Sequence, residues 1–150
     1  MKAEIESPVG TLILSAADGA ITSVDWGHTP NSDAAPVFDQ ARAELAAYFA
    51  GDLTAFTLPL APGGSAFQQD FYAALCAIPY GETRSYGDLA AELGVSAQAI
   101  GQACGANPIP IFIPCHRVLG AEGLGGYSGA GGVETKVALL KLEGAASLLI

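Results

Sequence analysis

The sequence predicts an α/β chain in two parts: a small N-terminal antiparallel sheet with one helix, then a mostly helical, winged-helix-like part containing a helix-turn-helix. Three observations carry that reading. Apolar and polar residues alternate in the first 26 residues, apolar residues then recur at three- and four-residue steps, and a Pro/Gly-rich break separates two such regions.

Residues 2–7 and 11–16 flank Pro8, Val9 and Gly10, and residues 21–26 follow Asp18-Gly19. Ala3 with Ile5, and Leu12 with Leu14, show the two-residue period of half-buried strands, so a three-stranded meander is expected. Asn31, Ser32, Asp33 and Pro36 introduce a helix over 37–50, striped by Phe38, Ala41, Leu45, Tyr48 and Phe49 and stopped by Gly51. Residues 58–64, LPLAPGG, read as a linker between a domain at 1–57 and one at 65–150. Ser65 caps a helix through about 78, whose stripe is Phe67, Phe71, Leu75 and Ile78. Ser85 caps a short helix over 86–93, ended by Gly94, and Ser96 caps another over 97–106. Two short helices joined by Gly94, Val95 and Ser96 have helix-turn-helix spacing, a pattern also common in ordinary helical cores. A Pro-interrupted apolar run, 107–114, leads to Cys115, and after a Gly-rich loop the last helix spans about 133–143.

Bulk properties narrow the classes of function. No apolar run approaches the roughly 20 residues needed to span a membrane. The opening residues lack the basic-then-apolar layout of a secretory signal, so a soluble, cytoplasmic protein is expected. Cys76, Cys104 and Cys115 are odd in number and form no Cys-x-x-Cys pair, which argues against a disulfide framework. With only His28 and His116 besides, a zinc site is not expected either. Charge runs against nucleic-acid binding: six Lys and Arg face fifteen Asp and Glu, for a net charge of −9. Residues 1–64 hold two basic and eight acidic groups, residues 65–150 four and seven. Phosphate affinity comes chiefly from Lys and Arg releasing counterions, so any DNA-binding reading must overcome this.

One segment concentrates chemistry. In Cys115-His116-Arg117 a thiol, an imidazole and a guanidinium are consecutive. A partner base and nearby positive charge raise the thiolate fraction of a cysteine. Neighbours on an extended chain point to opposite sides, so His116 serves Cys115 only if the backbone turns or a water bridges them. The plainer alternative is a small buried hydrophobe beside a hydrogen-bonded core histidine.

The string PCHRV at 114–118 is accompanied by FQ at 67–68, IPYGETRSYGDLA at 78–90, GANP at 105–108, GYS at 126–128 and LLKLEG at 139–144. With these ordered motifs the chain resembles the methylated-DNA–protein-cysteine methyltransferases, the O6-alkylguanine-DNA alkyltransferases. The likeness covers most of 65–144 and is looser over the first 60 residues. It implies that Cys115 displaces an alkyl group from O6 of guanine, or alternatively O4 of thymine, in double-stranded DNA and keeps it as a thioether. His116, oriented by Glu143, would draw the thiol proton through a bridging water, and Asn107 would brace the turn before the nucleophile. Tyr86 would crowd the phosphate while the base is everted. Tyr127 would donate a proton to the departing guanine, and Ser128 would contact the flipped base. Arg117 is expected to be structural, in an ion pair with the N-terminal domain. The sulfur is expected at the mouth of a cavity shaped for an everted purine.

The pattern is broken at two places. Gln98 stands where the family carries the arginine that fills the vacated stack, and glutamine brings no charge and stacks less well. The loop over 128–136 is about two residues longer than the common form. The zinc ligands of some relatives are missing, so no metal or other cofactor is expected, and a monomer is the simplest assembly. Two further readings stay open: a damage-sensing module without transfer chemistry, and a thiol protein acting on small electrophiles.

Overall fold

The computed structural model describes residues 1–120 and 132–145. The chain divides into two compact units, Met1–Gly63 and Gly64–Ile150.

In the first unit β1 (Lys2–Ser7), β2 (Gly10–Ala17) and β3 (Ala20–Trp26) form an antiparallel sheet in sequence order. Ala3 pairs with Leu14 and Ile5 with Leu12, so the alternation seen in the sequence lays one apolar face down together. The β2–β3 turn has Asp18 and Gly19 both at positive φ, 51° and 77°, as a two-residue hairpin requires. At Gly10 a side chain would meet the Trp26 ring at 3.1 Å, so the first hairpin needs glycine for space as well as for its φ of 117°. Helix α1 (Pro36–Phe49) buries Val37, Phe38, Ala41, Leu45 and Tyr48 against this sheet.

Two expectations shift in this unit. Ser32 and Asp33 do not cap α1, whose N-cap is Ala35 without a side-chain bond. Instead Ser32 Oγ accepts from the Glu4 amide and Asp33 Oδ2 from the Lys2 amide, both at 2.9 Å. β1 lies at the sheet edge, where unpaired N–H groups need acceptors more than a helix already opened by proline does. Within 58–64, read as linker, Leu58 is buried, and the Ile21 amide and carbonyl bond Pro59 and Ala61. That stretch begins as an added edge of the sheet.

The second unit is helical. Ser65 and Gln68 form a reciprocal capping box on α2 (Ala66–Cys76), and Ser85 and Asp88 form another on α3 (Tyr86–Leu93). Gly94, at φ 70°, ends α3, and Ser96 caps α4 (Ala97–Gly105). The pair closes over Leu89, Ala90, Ile100 and Ala103. A short parallel pairing joins β4 (Arg84–Ser85) to β5 (Val118–Leu119), and α5 (Val133–Leu142) follows. The architecture is the expected one: an antiparallel sheet with a helix, then a helical unit holding a helix-turn-helix. No helix among the described residues is long and apolar enough to cross a membrane.

Candidate active site

The apolar run before Cys115 is a buried, irregular loop. Ile109, Ile111, Phe112 and Ile113 are at most 4% exposed. Ile111 adopts φ 75°, a left-handed conformation costly for a β-branched residue. Asn107 holds this path: its Nδ2 donates to the Ile113 carbonyl at 2.9 Å and its Oδ1 accepts from the Ile109 amide at 3.1 Å. Two buried backbone groups that regular structure would have satisfied are thereby paired.

Cys115, His116 and Arg117 then form one 3₁₀ turn. The backbone therefore turns here rather than running extended. His116 is fully buried, and its Nε2 lies 2.7 Å from Glu143 Oε2. A carboxylate only accepts, so Nε2 carries the proton and Nδ1 is left with a lone pair. Among the described residues that buried Nδ1 has no hydrogen-bond partner. Burial holds the His116 pKa below its ordinary value, against the opposing pull of Glu143, so the ring favours the neutral state a base requires.

Glu143 follows directly on α5, at the helix end where a carboxylate is disfavoured by the helix dipole. Arg117 offsets this: Nε donates to Oε1 at 2.8 Å and one terminal nitrogen to Oε2 at 3.1 Å. The other terminal nitrogen reaches the Ile78 carbonyl at 2.7 Å. Arg117 was expected to pair with the N-terminal domain; the partners seen are Glu143 and the Ile78 carbonyl. Both lie in the second unit, and Glu143 supplies a bidentate acceptor. The turn motif after α2 has a physical role in the same place. Tyr80 Oη donates to the Leu142 carbonyl, and a side chain at Gly81 would meet the Glu143 carbonyl at 3.1 Å.

Cys115 is 4% exposed, so the sulfur does not stand open to solvent as expected for the mouth of a cavity. Burial pushes its thiol up, while an Asn107 hydrogen bond and the charge of Lys136 pull it down. The sequence reading assigned no role to Lys136, which is fully buried with Nζ 2.7 Å from the Val118 carbonyl. Its signal was nonetheless present: Lys136 lies three and four residues before Leu139 and Leu140, on the buried face of α5. A lysine on an apolar stripe is unusual enough to mark.

Cys115, His116, Arg117, Asn107 and Glu143 therefore converge in one buried cluster. Tyr86 is half-buried at the first position of α3, and Gln98 is exposed in the first turn of α4. Tyr127 and Ser128 lie outside the described residues. Among the described residues no group of three or more His, Cys, Asp or Glu is placed to hold a metal ion.

Known proteins are similar to this chain in sequence and in fold. Residues 66–145 match the 6-O-methylguanine DNA methyltransferase DNA-binding domain, and residues 1–62 match the ribonuclease-like domain of the same family. The first 60 residues, read as only loosely similar, thus carry the likeness too. A methylated-DNA–protein-cysteine methyltransferase of Mycolicibacterium paratuberculosis is 45% identical, over 93% of this chain and 89% of that protein. The constitutive one of Bacillus subtilis is 41% identical, over 92% of each. Mycobacterium tuberculosis OGT, solved in complex with DNA, superimposes with a TM-score of 0.84 at 42% identity, over 97% of this chain and 93% of that one.

Proposed function

The chain belongs to the 6-O-methylguanine DNA methyltransferase family, and we propose on that premise that it repairs DNA by moving an alkyl group from O6 of guanine onto its own Cys115. The observation that carries the reading is the buried contact of His116 with Glu143 at 2.7 Å, in the same turn as Cys115.

Glu143 accepts a hydrogen bond from Nε2–H and so fixes the tautomer, which leaves Nδ1 to take the Cys115 proton through a bridging water. Arg117 orients the carboxylate by donating to both of its oxygens. The thiolate attacks the alkyl carbon. The S–C bond forms as the C–O6 bond breaks, and guanine departs after taking a proton. Tyr127 donates that proton, and Ser128 contacts the everted base. Asn107 braces the loop that delivers the nucleophile. The product is a thioether, a bond stable to hydrolysis, so each molecule acts once. Eversion costs a few kcal/mol; Tyr86 crowds the phosphate and Gln98 occupies the vacated stack. The protein works in the cytoplasm as a monomer, on double-stranded DNA.

Incubation with duplex DNA carrying O6-methylguanine, followed by the intact protein mass, tests the reading. The expected result is a gain of one methylene on Cys115, absent in Cys115→Ser. Binding without mass gain would instead make the chain a damage sensor. Alkylation by small electrophiles without DNA transfer would make it a thiol scavenger.

A further inference from the structure

The string Ile78, Pro79, Tyr80 and Gly81, just after α2, lies against the pair formed by Glu143 and Arg117. The Ile78 carbonyl accepts from Arg117 at 2.7 Å. Gly81, at φ 84°, stands so close to the Glu143 carbonyl that a Cβ there would meet it at 3.1 Å. Tyr80 reaches toward both members of the pair. Its ring centre is 5.9 Å from Cζ of Arg117, within the range of a cation–π contact. Its Oη donates to the carbonyl of Leu142, the residue before Glu143, at 3.1 Å.

We propose that Tyr80 is a positioning residue for alkyl transfer. It fixes both the end of α5 from which Glu143 branches and the guanidinium that orients the Glu143 carboxylate, and through them it sets His116. This rests on Cys115 being the alkyl acceptor and His116 its base.

The physical argument starts at the helix end. α5 closes with the Gly144 amide donating to the Lys141 carbonyl and the Ala145 amide to the Leu140 carbonyl, with Gly144 at φ 79°. That is the Schellman arrangement, and the next carbonyl, that of Leu142, falls outside it. Tyr80 supplies a donor for it from 62 residues away in the chain. The carbonyl so held belongs to the peptide that joins Leu142 to Glu143, so the backbone carrying the carboxylate is pinned directly. The Tyr80 ring meanwhile packs by a cation that bonds both carboxylate oxygens. His116 depends on both restraints. Its Nε2 lies 2.7 Å from Glu143 Oε2, the same oxygen that accepts from Arg117 at 3.1 Å. Which ring nitrogen carries the proton is set by the bond the other makes, so a displaced Oε2 releases the tautomer that leaves Nδ1 free to act.

The test uses the full chain and three measurements. These are the rate of methyl transfer from duplex DNA carrying O6-methylguanine, the affinity for the unmodified duplex of the same sequence, and the ring nitrogen chemical shifts of His116. Those shifts report which nitrogen carries the proton. Tyr80→Phe loses the bond to Leu142 and keeps the ring; Tyr80→Leu loses both. Transfer should slow about threefold in Tyr80→Phe and about tenfold in Tyr80→Leu, with DNA affinity kept within about twofold. The His116 shifts should move from the Nε2–H tautomer toward a mixture, further in Tyr80→Leu than in Tyr80→Phe. A side chain that only stabilised the fold would leave the rate and the tautomer of folded molecules unchanged. Tyr80→Phe carries the test alone should Tyr80→Leu not fold. Transfer as fast as in the unaltered protein overturns the proposal, as does slower transfer with the His116 shifts unmoved or with a matching loss of DNA affinity. Absence of transfer in the unaltered protein would break the alkyltransferase reading instead, and the His116 shifts would still decide whether Tyr80 holds Glu143.

Discussion

Asn107 shows how much a single side chain does at the residue scale. Its amide pairs the Ile109 amide and the Ile113 carbonyl, and it holds a loop in which Ile111 carries a left-handed φ of 75°. Replacing it leaves two buried backbone groups without their partners. Asn107→Ala should therefore cost about 2–4 kcal/mol in urea unfolding and slow alkyl transfer as well, since the released loop is the one that delivers Cys115. An Asn107→Ala protein as stable and as fast as the parent would show the brace to be dispensable. The importance of Asn107 was legible from its place before proline and from family likeness. The left-handed Ile111 was not, because nothing local favours that conformation; the packing around it imposes it.

At the scale of elements, the helix-turn-helix is written in short-range signals. Ser85 with Asp88 and Ser96 with the Ala99 amide cap its two helices, and Gly94 at φ 70° supplies the turn between them. Such caps act within four residues, which is why the boundaries of α3 and α4 could be read to within one residue. What the element lacks is positive charge. No lysine or arginine lies in α4, and Arg84 beside α3 is shared between Asp88 and Glu92 at 3.8 Å each. Gln98, in the first turn of α4, is exposed and uncharged. Gln98→Arg should tighten binding to alkylated duplex by about three- to tenfold. It should also steepen the slope of log affinity against log salt by about one, measured by fluorescence anisotropy. An unchanged slope would place residue 98 away from the DNA.

For the whole molecule, the buried ionisable cluster sets the response to acid. His116 is fully buried with its pKa below the ordinary 6.5, so the unfolded chain binds a proton that the folded chain refuses. Its contribution is complete above that ordinary value and is lost as the pH falls from there toward the depressed one. Stability to urea should fall between pH 7.5 and 5.5, and His116→Asn, though less stable at pH 7.5, should show a smaller fall over the same range. An equal fall in both proteins would assign the acid sensitivity to other groups.

The sequence by itself determined the elements, the division into a sheet unit and a helical unit, and the candidate for the nucleophile. Alternation, caps, turn glycines and the string from Pro114 to Val118 are all contained within a few residues of chain. Tertiary structure alone decided who meets whom. It turned Cys115–Arg117 into one 3₁₀ turn, gave Arg117 to Glu143 and Ile78 within its own unit, and tied the buried Lys136 to the Val118 carbonyl just after that turn. It also moved Ser32 and Asp33 from a helix start to a sheet edge. The physical reason is that a charged or polar group cut off from water must find its partner in space. Glu143 lies 26 residues from Arg117, a separation that no local periodicity encodes.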